Sequence, residues 1–130
     1  MISVRTLREG ESIPQGFSTG YEAMPIMADW CWVAENGEPQ GVLLAAPCHG
    51  LVYMMRVCTK EGANPATAAI LIRACMKDCE RRGFKGYFFH VSGITQVERD
   101  LIPVVRKAGG VQITLPQMML VGSIAKAAKF

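Results

Sequence analysis

Apolar and polar residues alternate from Ile2 to Leu7, the spacing of a strand with one face buried. The next stretch, Arg8 to Ala28, carries Gly10, Pro14, Gly16, Gly20 and Pro25, and this density of breakers predicts short turns rather than a long helix. Trp30 to Glu35 then reads as a strand. Asn36-Gly37 is a strong hairpin signal, and Gln40 to Ala46 resumes as the partner strand. Pro47-Cys48-His49-Gly50 is a second turn cluster, after which Leu51 to Cys58 completes a three-stranded meander.

The period then changes. Asn64 is a good N-cap, Pro65 stands where a first helical residue needs no N–H, and Gly83 suits a left-handed C-terminal residue. Between them Ala68, Leu71, Ile72, Cys75, Met76 and Cys79 share one helix face, with Arg73, Lys77, Glu80 and Arg81 opposite. Gly86 to Val91 is an aromatic, nearly unbroken apolar run suited to a central strand, so a right-handed β–α–β unit is expected. A second helix is predicted over Ile94 to Ala108, with Pro103 kinking it or breaking its first half. Val111 to Leu115 and Met118 to Ile124 follow as two last strands.

The 130 residues suit one domain, 1–130, large enough for a real core. With 14 Lys+Arg against 11 Asp+Glu, the net charge of +3 is mild and has no basic run, so no nucleic-acid surface is expected. The longest apolar stretch, Val42 to Pro47, is far below the roughly 18 residues of a membrane span, so no membrane association is expected either. The N-terminus lacks the layout of a signal peptide, and the five cysteines (Cys31, Cys48, Cys58, Cys75, Cys79) form no CxxC pair. Reduced, mostly core cysteines in a cytoplasmic protein are the expectation.

The element order β, short irregular region, β-β-β, α, β, α, β-β is that of an α/β protein with a mixed α+β sheet, and it resembles the Gcn5-related N-acetyltransferase (GNAT) superfamily. The segments that carry the resemblance run from Leu51-Val-Tyr-Met-Met-Arg-Val-Cys-Thr59 through Asn64-Pro-Ala-Thr-Ala-Ala-Ile-Leu-Ile72 to Glu80-Arg-Arg-Gly-Phe-Lys-Gly-Tyr-Phe-Phe-His-Val91, then Arg106-Lys-Ala-Gly-Gly-Val111. The resemblance implies an acyl-CoA N-acyltransferase fold, acetyl-CoA as cofactor and an amine as acceptor. It places cofactor contacts at Arg56, Val57, Thr59, Asn64, Ala66, Thr67 and Ala68, with backbone groups near Val57 polarising the thioester carbonyl. The chain departs from the family three times, first in an Arg8 to Ala28 region too short and too rich in Gly and Pro for the paired helices that usually shape an acceptor site. Ala63, Ala66 and Ala68 stand where the Arg/Gln-x-x-Gly-x-Gly/Ala phosphate signature falls, and Val105 stands where many members carry a proton-donating tyrosine. Arg56 or Lys60 is the available source of positive charge.

No Asp, Glu or His occurs between Leu51 and Thr59, so the catalytic candidates are His90, at the end of the central strand, and Tyr53. Cys48-His49 is weighed as a nucleophile and base and set aside, because adjacent residues in a tight turn point apart. Zinc is set aside because Cys48, His49 and His90 lack a fourth ligand. Trp30, Trp32, Tyr53, Met54 and Met55 divide between core and an acceptor groove, with Trp32 and Met55 assigned to the core. A helix on each side of the sheet accounts for the 50% apolar content.

Two functions follow. One is an acetyl-CoA-dependent N-acetyltransferase acting by direct transfer. The other is a degenerate binding or structural module of the same fold, with a protein partner, a homo-oligomer or a larger assembly in place of catalysis. Small degenerate members of this kind are familiar among bacteriophage products, for which a virion-associated location is the corresponding expectation.

Overall fold

Tight turns with positive φ set the meander. The structure, a computed structural model, describes residues 1–17, 19, 26–89 and 96–107. Strand β1 (Ser3–Thr6) pairs with β2 (Cys31–Asn36), β2 with β3 (Glu38–Cys48), and β3 with β4 (Leu51–Thr59), all antiparallel. Gly37 closes the first hairpin at φ 77°, where a side chain would be strained. His49 and Gly50 close the second at φ 51° and 80°, the pair of left-handed residues that a two-residue hairpin turn needs. That turn leaves His49 exposed at its tip, and Cys48 pairs with Leu51, so β3 extends two residues past Ala46.

Helix α1 (Thr67–Arg81) crosses to β5 (Tyr87–Phe89), which lies parallel to β4 and completes the sheet order β1-β2-β3-β4-β5. The helix begins two residues later than Pro65, because the chain enters through an i→i+3 bond from the Thr67 N–H to the Asn64 carbonyl at 2.9 Å. Of the kink or broken first half expected from Pro103, the break does not occur, and helix α2 (Gln96–Lys107) runs on through that residue. Pro103 is exposed, as is Arg99, whose carbonyl loses its helical donor there, so water can satisfy what the ring removes. The expected strands at 111–115 and 118–124, and His90 at the end of the central strand, lie outside the described residues. No helix among the described residues is long and apolar enough to cross a membrane.

Both faces of the sheet are covered. On one, Leu71, Ile72, Cys75 and Cys79 of α1 pack on Trp32, Ala34, Leu43, Ala45, Val52, Met54 and Val57. On the other, Leu7, Cys31, Val33, Val42 and Leu44 are buried beneath Ile13, Phe17, Ile26, Ala28 and Met55. Among the described residues the second cover is irregular chain with one 3-10 turn (Ala28–Trp30) in place of the expected helix, while α2 approaches α1. Gly and Pro spacing explains this: the segment can offer apolar side chains but cannot sustain a helix to carry them. All five cysteines are free thiols, and burial pushes that of Cys31 up to about 12 and raises those of Cys75 and Cys79.

Two polar links tie these layers together. The Trp32 indole donates to Asp78 Oδ2 at 2.7 Å, joining β2 to α1, and the Arg82 guanidinium lies 5.0 and 5.2 Å from the rings of Trp30 and Trp32. On the outer edge, Arg5 makes a bidentate pair with Glu11 at 2.8 and 2.9 Å and reaches Glu35 at 2.9 Å, pinning the start of the irregular segment to β1 and β2. The Arg5 bonds hold the Glu11 carboxyl at about 2, below its ordinary 4.5. A depressed carboxylate stabilises the fold above its unfolded value and stops doing so as pH falls through its folded value. The difference in urea midpoint between wild type and Glu11→Gln is accordingly expected to be constant above about pH 4.5 and to vanish near about pH 2. A difference that persists at the acid end would contradict this.

Candidate active site

The site begins with a break in the alternation of β4. Val52 and Met54 face α1, yet the next residue to do so is Val57, three positions on instead of two. Leu44 of β3 pairs with Arg56 while Ala45 pairs with Met54, so Met55 is an extra residue, a β-bulge. The parallel pairing with β5 runs Val52↔Tyr87, Tyr53↔Phe88, Met54↔Phe89 and goes no further among the described residues. Met55 thus has no register partner on β3, and none on β5 among the described residues. From Met55 to Thr59 the β5 side of β4 has no partner strand among the described residues.

The far end of the same strand leads into the helix start. Thr59 pairs with Gly41, and the Lys60 N–H donates to the Gln40 carbonyl at 2.8 Å. The chain then turns through Gly62, and the Ala63 N–H closes the turn on the Lys60 carbonyl at 3.0 Å. Asn64 Oδ1 accepts from the Ala66 N–H at 2.9 Å, and the Asn64 carbonyl accepts from Thr67 Oγ1 at 2.7 Å. These bonds consume the N–H groups of Ala66 and Thr67. Those of Ala68 and Ala69 are left as the helix-start donors without a partner among the described residues, at the positive end of the helix dipole.

The predicted site residues fall along this line. Arg56 is exposed on β4 just past the bulge, Thr59 is half-buried, and Asn64 and Ala66 are exposed at the helix start, with Ala68 half-buried behind them. Val57 is paired with Leu43 and its side chain is in the core, which leaves its backbone as the part available to a ligand. The bulge lies at Met55, two residues before Val57. Thr67 is fully buried, with its hydroxyl committed to the Asn64 carbonyl. Lys60 contributes little charge to the turn, because its Nζ pairs with Glu38 at 2.5 Å. Tyr53 lies on the sheet face away from α1, its ring stacked on Phe88 with centroids 4.7 Å apart. His90 and the side chain of Val105 are outside the described residues. Trp30, Trp32 and Met54 are buried and line no groove.

The bulge, and the closeness of Gly41 to Thr67 and Leu71 at the start of α1, are what sequence reasoning missed. A signal for the first was present, since apolar residues at 52, 54, 55 and 57 cannot all obey one strand alternation. The donor set at the helix start fits a phosphate group: small exposed side chains and two N–H groups without a partner among the described residues.

Comparison with known proteins agrees with this architecture. No protein-family model matches the chain, and no curated protein sequence matches it. Solved structures do. The Escherichia coli ribosomal-protein-S18-alanine N-acetyltransferase matches with a TM-score of 0.66 at 10% identity, over 88% of this chain and 80% of that one. An aminoglycoside acetyltransferase from an uncultured soil metagenomic sample matches with a TM-score of 0.65 at 17% identity, over 94% of this chain and 99% of that one. An IAA acetyltransferase from Bacillus cereus matches with a TM-score of 0.63 at 12% identity, over 83% of this chain and 75% of that one. The chain has the GNAT fold.

Proposed function

We propose that this protein is an N-acetyltransferase that uses acetyl-CoA and transfers the acetyl group directly to an amine acceptor. The observation that supports this best is the Met55 bulge, which falls where the described β4–β5 pairing ends, on the strand that feeds the start of α1. Acetyl-CoA, when bound, supplies an activated thioester. The Ala68 and Ala69 N–H groups would hold its phosphates, and the edge from Met55 to Thr59 would hold the pantetheine amides. With no Asp, Glu or His from Leu51 to Thr59, the acceptor amine has no carboxylate or imidazole on β4 and gives up its proton to water or to one of the two candidates, Tyr53 or His90. Val105 has no proton to give, so at that position protonation falls to solvent.

Calorimetric titration with acetyl-CoA tests the reading, followed by mass spectrometry of a panel of amines incubated with protein and acetyl-CoA. Binding in the micromolar range and a mass gain of one acetyl group on an amine are expected. Absence of heat at millimolar acetyl-CoA would overturn it and leave the fold as a binding module.

A further inference from the structure

We infer that Gly41 is a positioning residue for the phosphate end of this site: the absence of a side chain there sets how closely the first turn of α1 approaches the sheet. The inference rests on the acetyltransferase reading for its ligand and on geometry alone for its mechanics. Gly41 is buried in β3, and a Cβ at this position would lie 2.9 Å from Leu71 Cδ1, 3.0 Å from Thr67 Cγ2 and 3.1 Å from the Cys58 carbonyl oxygen. These three neighbours differ in how they can yield. Leu71 Cδ1 is the far end of a flexible side chain and can rotate away. The Cys58 oxygen is backbone. Thr67 is β-branched, and its Oγ1 is fixed on the Asn64 carbonyl, so its methyl can move only with the helix turn.

The other end of the turn is held by the same few residues of β3. Gln40 accepts from the Lys60 N–H at 2.8 Å, and Glu38 pairs with the Lys60 ammonium at 2.5 Å. Glu38 to Gly41 therefore form a seat for the whole of 60–67. Met55 lies on β4 four residues before Thr59, the residue that pairs with Gly41, and is not among the contacts of a Cβ added there. An added methyl at Gly41 lifts the helix start while Lys60 stays tethered, which changes the placing of the Ala68 and Ala69 N–H groups relative to the bulge. A ligand that spans both places feels the change, and one that touches only the bulge does not.

Gly41→Ala is expected to raise the KM for acetyl-CoA about tenfold, with kcat and the KM for S-acetylpantetheine, which lacks the diphosphate, little changed. Adding Thr67→Ser, which removes the methyl and keeps the hydroxyl, should recover most of the loss. Equal effects on both substrates, or none on either, would overturn the inference, whereas a wild type that uses neither would instead overturn the acetyltransferase reading. A ligand-free measurement keeps the two separate: in amide NMR spectra Gly41→Ala should move the Ala68 and Ala69 resonances and leave that of Met55 in place, with reversal in the double variant. If Gly41→Ala does not fold, Thr67→Ser alone, which vacates the seat under the turn, is expected to move the same two resonances. Unmoved resonances in the folded variant would count against Gly41 whatever the ligand does.

Discussion

Trp32→Ala is expected to lower stability by about 3–5 kcal/mol, enough to remove most of the margin of a domain of this size. Trp32 is 0% exposed and stands at the middle of the α1-side core, edge-on to Trp30 with centroids 6.1 Å apart, and Arg82 lies across both rings. Alanine would empty that volume and strand Asp78, whose Oδ2 accepts from the indole at 2.7 Å. The two losses separate in Trp32→Phe, which keeps most of the packing and removes only the donor. Asp78 keeps its pair with Arg81 and is partly open to water, so the phenylalanine variant should lose nearer about 1 kcal/mol. Urea unfolding of the three proteins at neutral pH measures both. A phenylalanine variant as unstable as the alanine one would mean that the Trp32–Asp78 bond, and not the filling of the core, holds α1 on the sheet.

The second large effect concerns the cofactor. Ala66→Glu places a carboxylate at the exposed entry to α1, beside the N–H groups proposed to meet the phosphates. A negative charge within about 4 Å of a diphosphate costs on the order of 2–4 kcal/mol in a partly solvated site, so acetyl-CoA binding should weaken about 100-fold or more. The same carboxylate interacts favourably with the helix dipole, by about 0.3–1 kcal/mol, so the melting temperature should hold or rise. Loss of binding with an intact fold is the signature, read by calorimetry and thermal melting on one sample. Unchanged affinity would place the phosphates elsewhere, and a fall in both quantities would point to damage at the Asn64–Ala66 bond rather than to charge.

These variants separate what local pattern can announce from what it cannot. Asn36-Gly37, His49-Gly50 and the face of Leu71, Ile72, Cys75 and Cys79 were readable because turns and helix faces depend on residues within a few positions of each other. The exposed Arg73, Lys77, Glu80 and Arg81 complete that face as its solvent side. The irregular segment after β1 was readable as irregular, and its apolar residues were visible, but not that Ile13, Phe17, Ile26 and Ala28 cover the second face of the sheet. Covering is a relation between residues far apart in the chain, and the same residues could have packed on either face.

The site divides in the same way. Sequence by itself determined that a helix starts just after Asn64-Pro65, though not at which residue, and it determined the small residues around that start and the lack of any Asp, Glu or His on β4, because each is a matter of identity and spacing. Tertiary structure decided that Thr67 turns inward while Ala66 stays out, that Lys60 is spent on Glu38, and that Met55 is the residue dropped from the register. It also decided that Gly41 lies beneath the first turn of α1. A bulge exists only when two strands are compared, and the need for a missing side chain appears only when a helix comes to rest on it, so neither is a property of the strand that bears it.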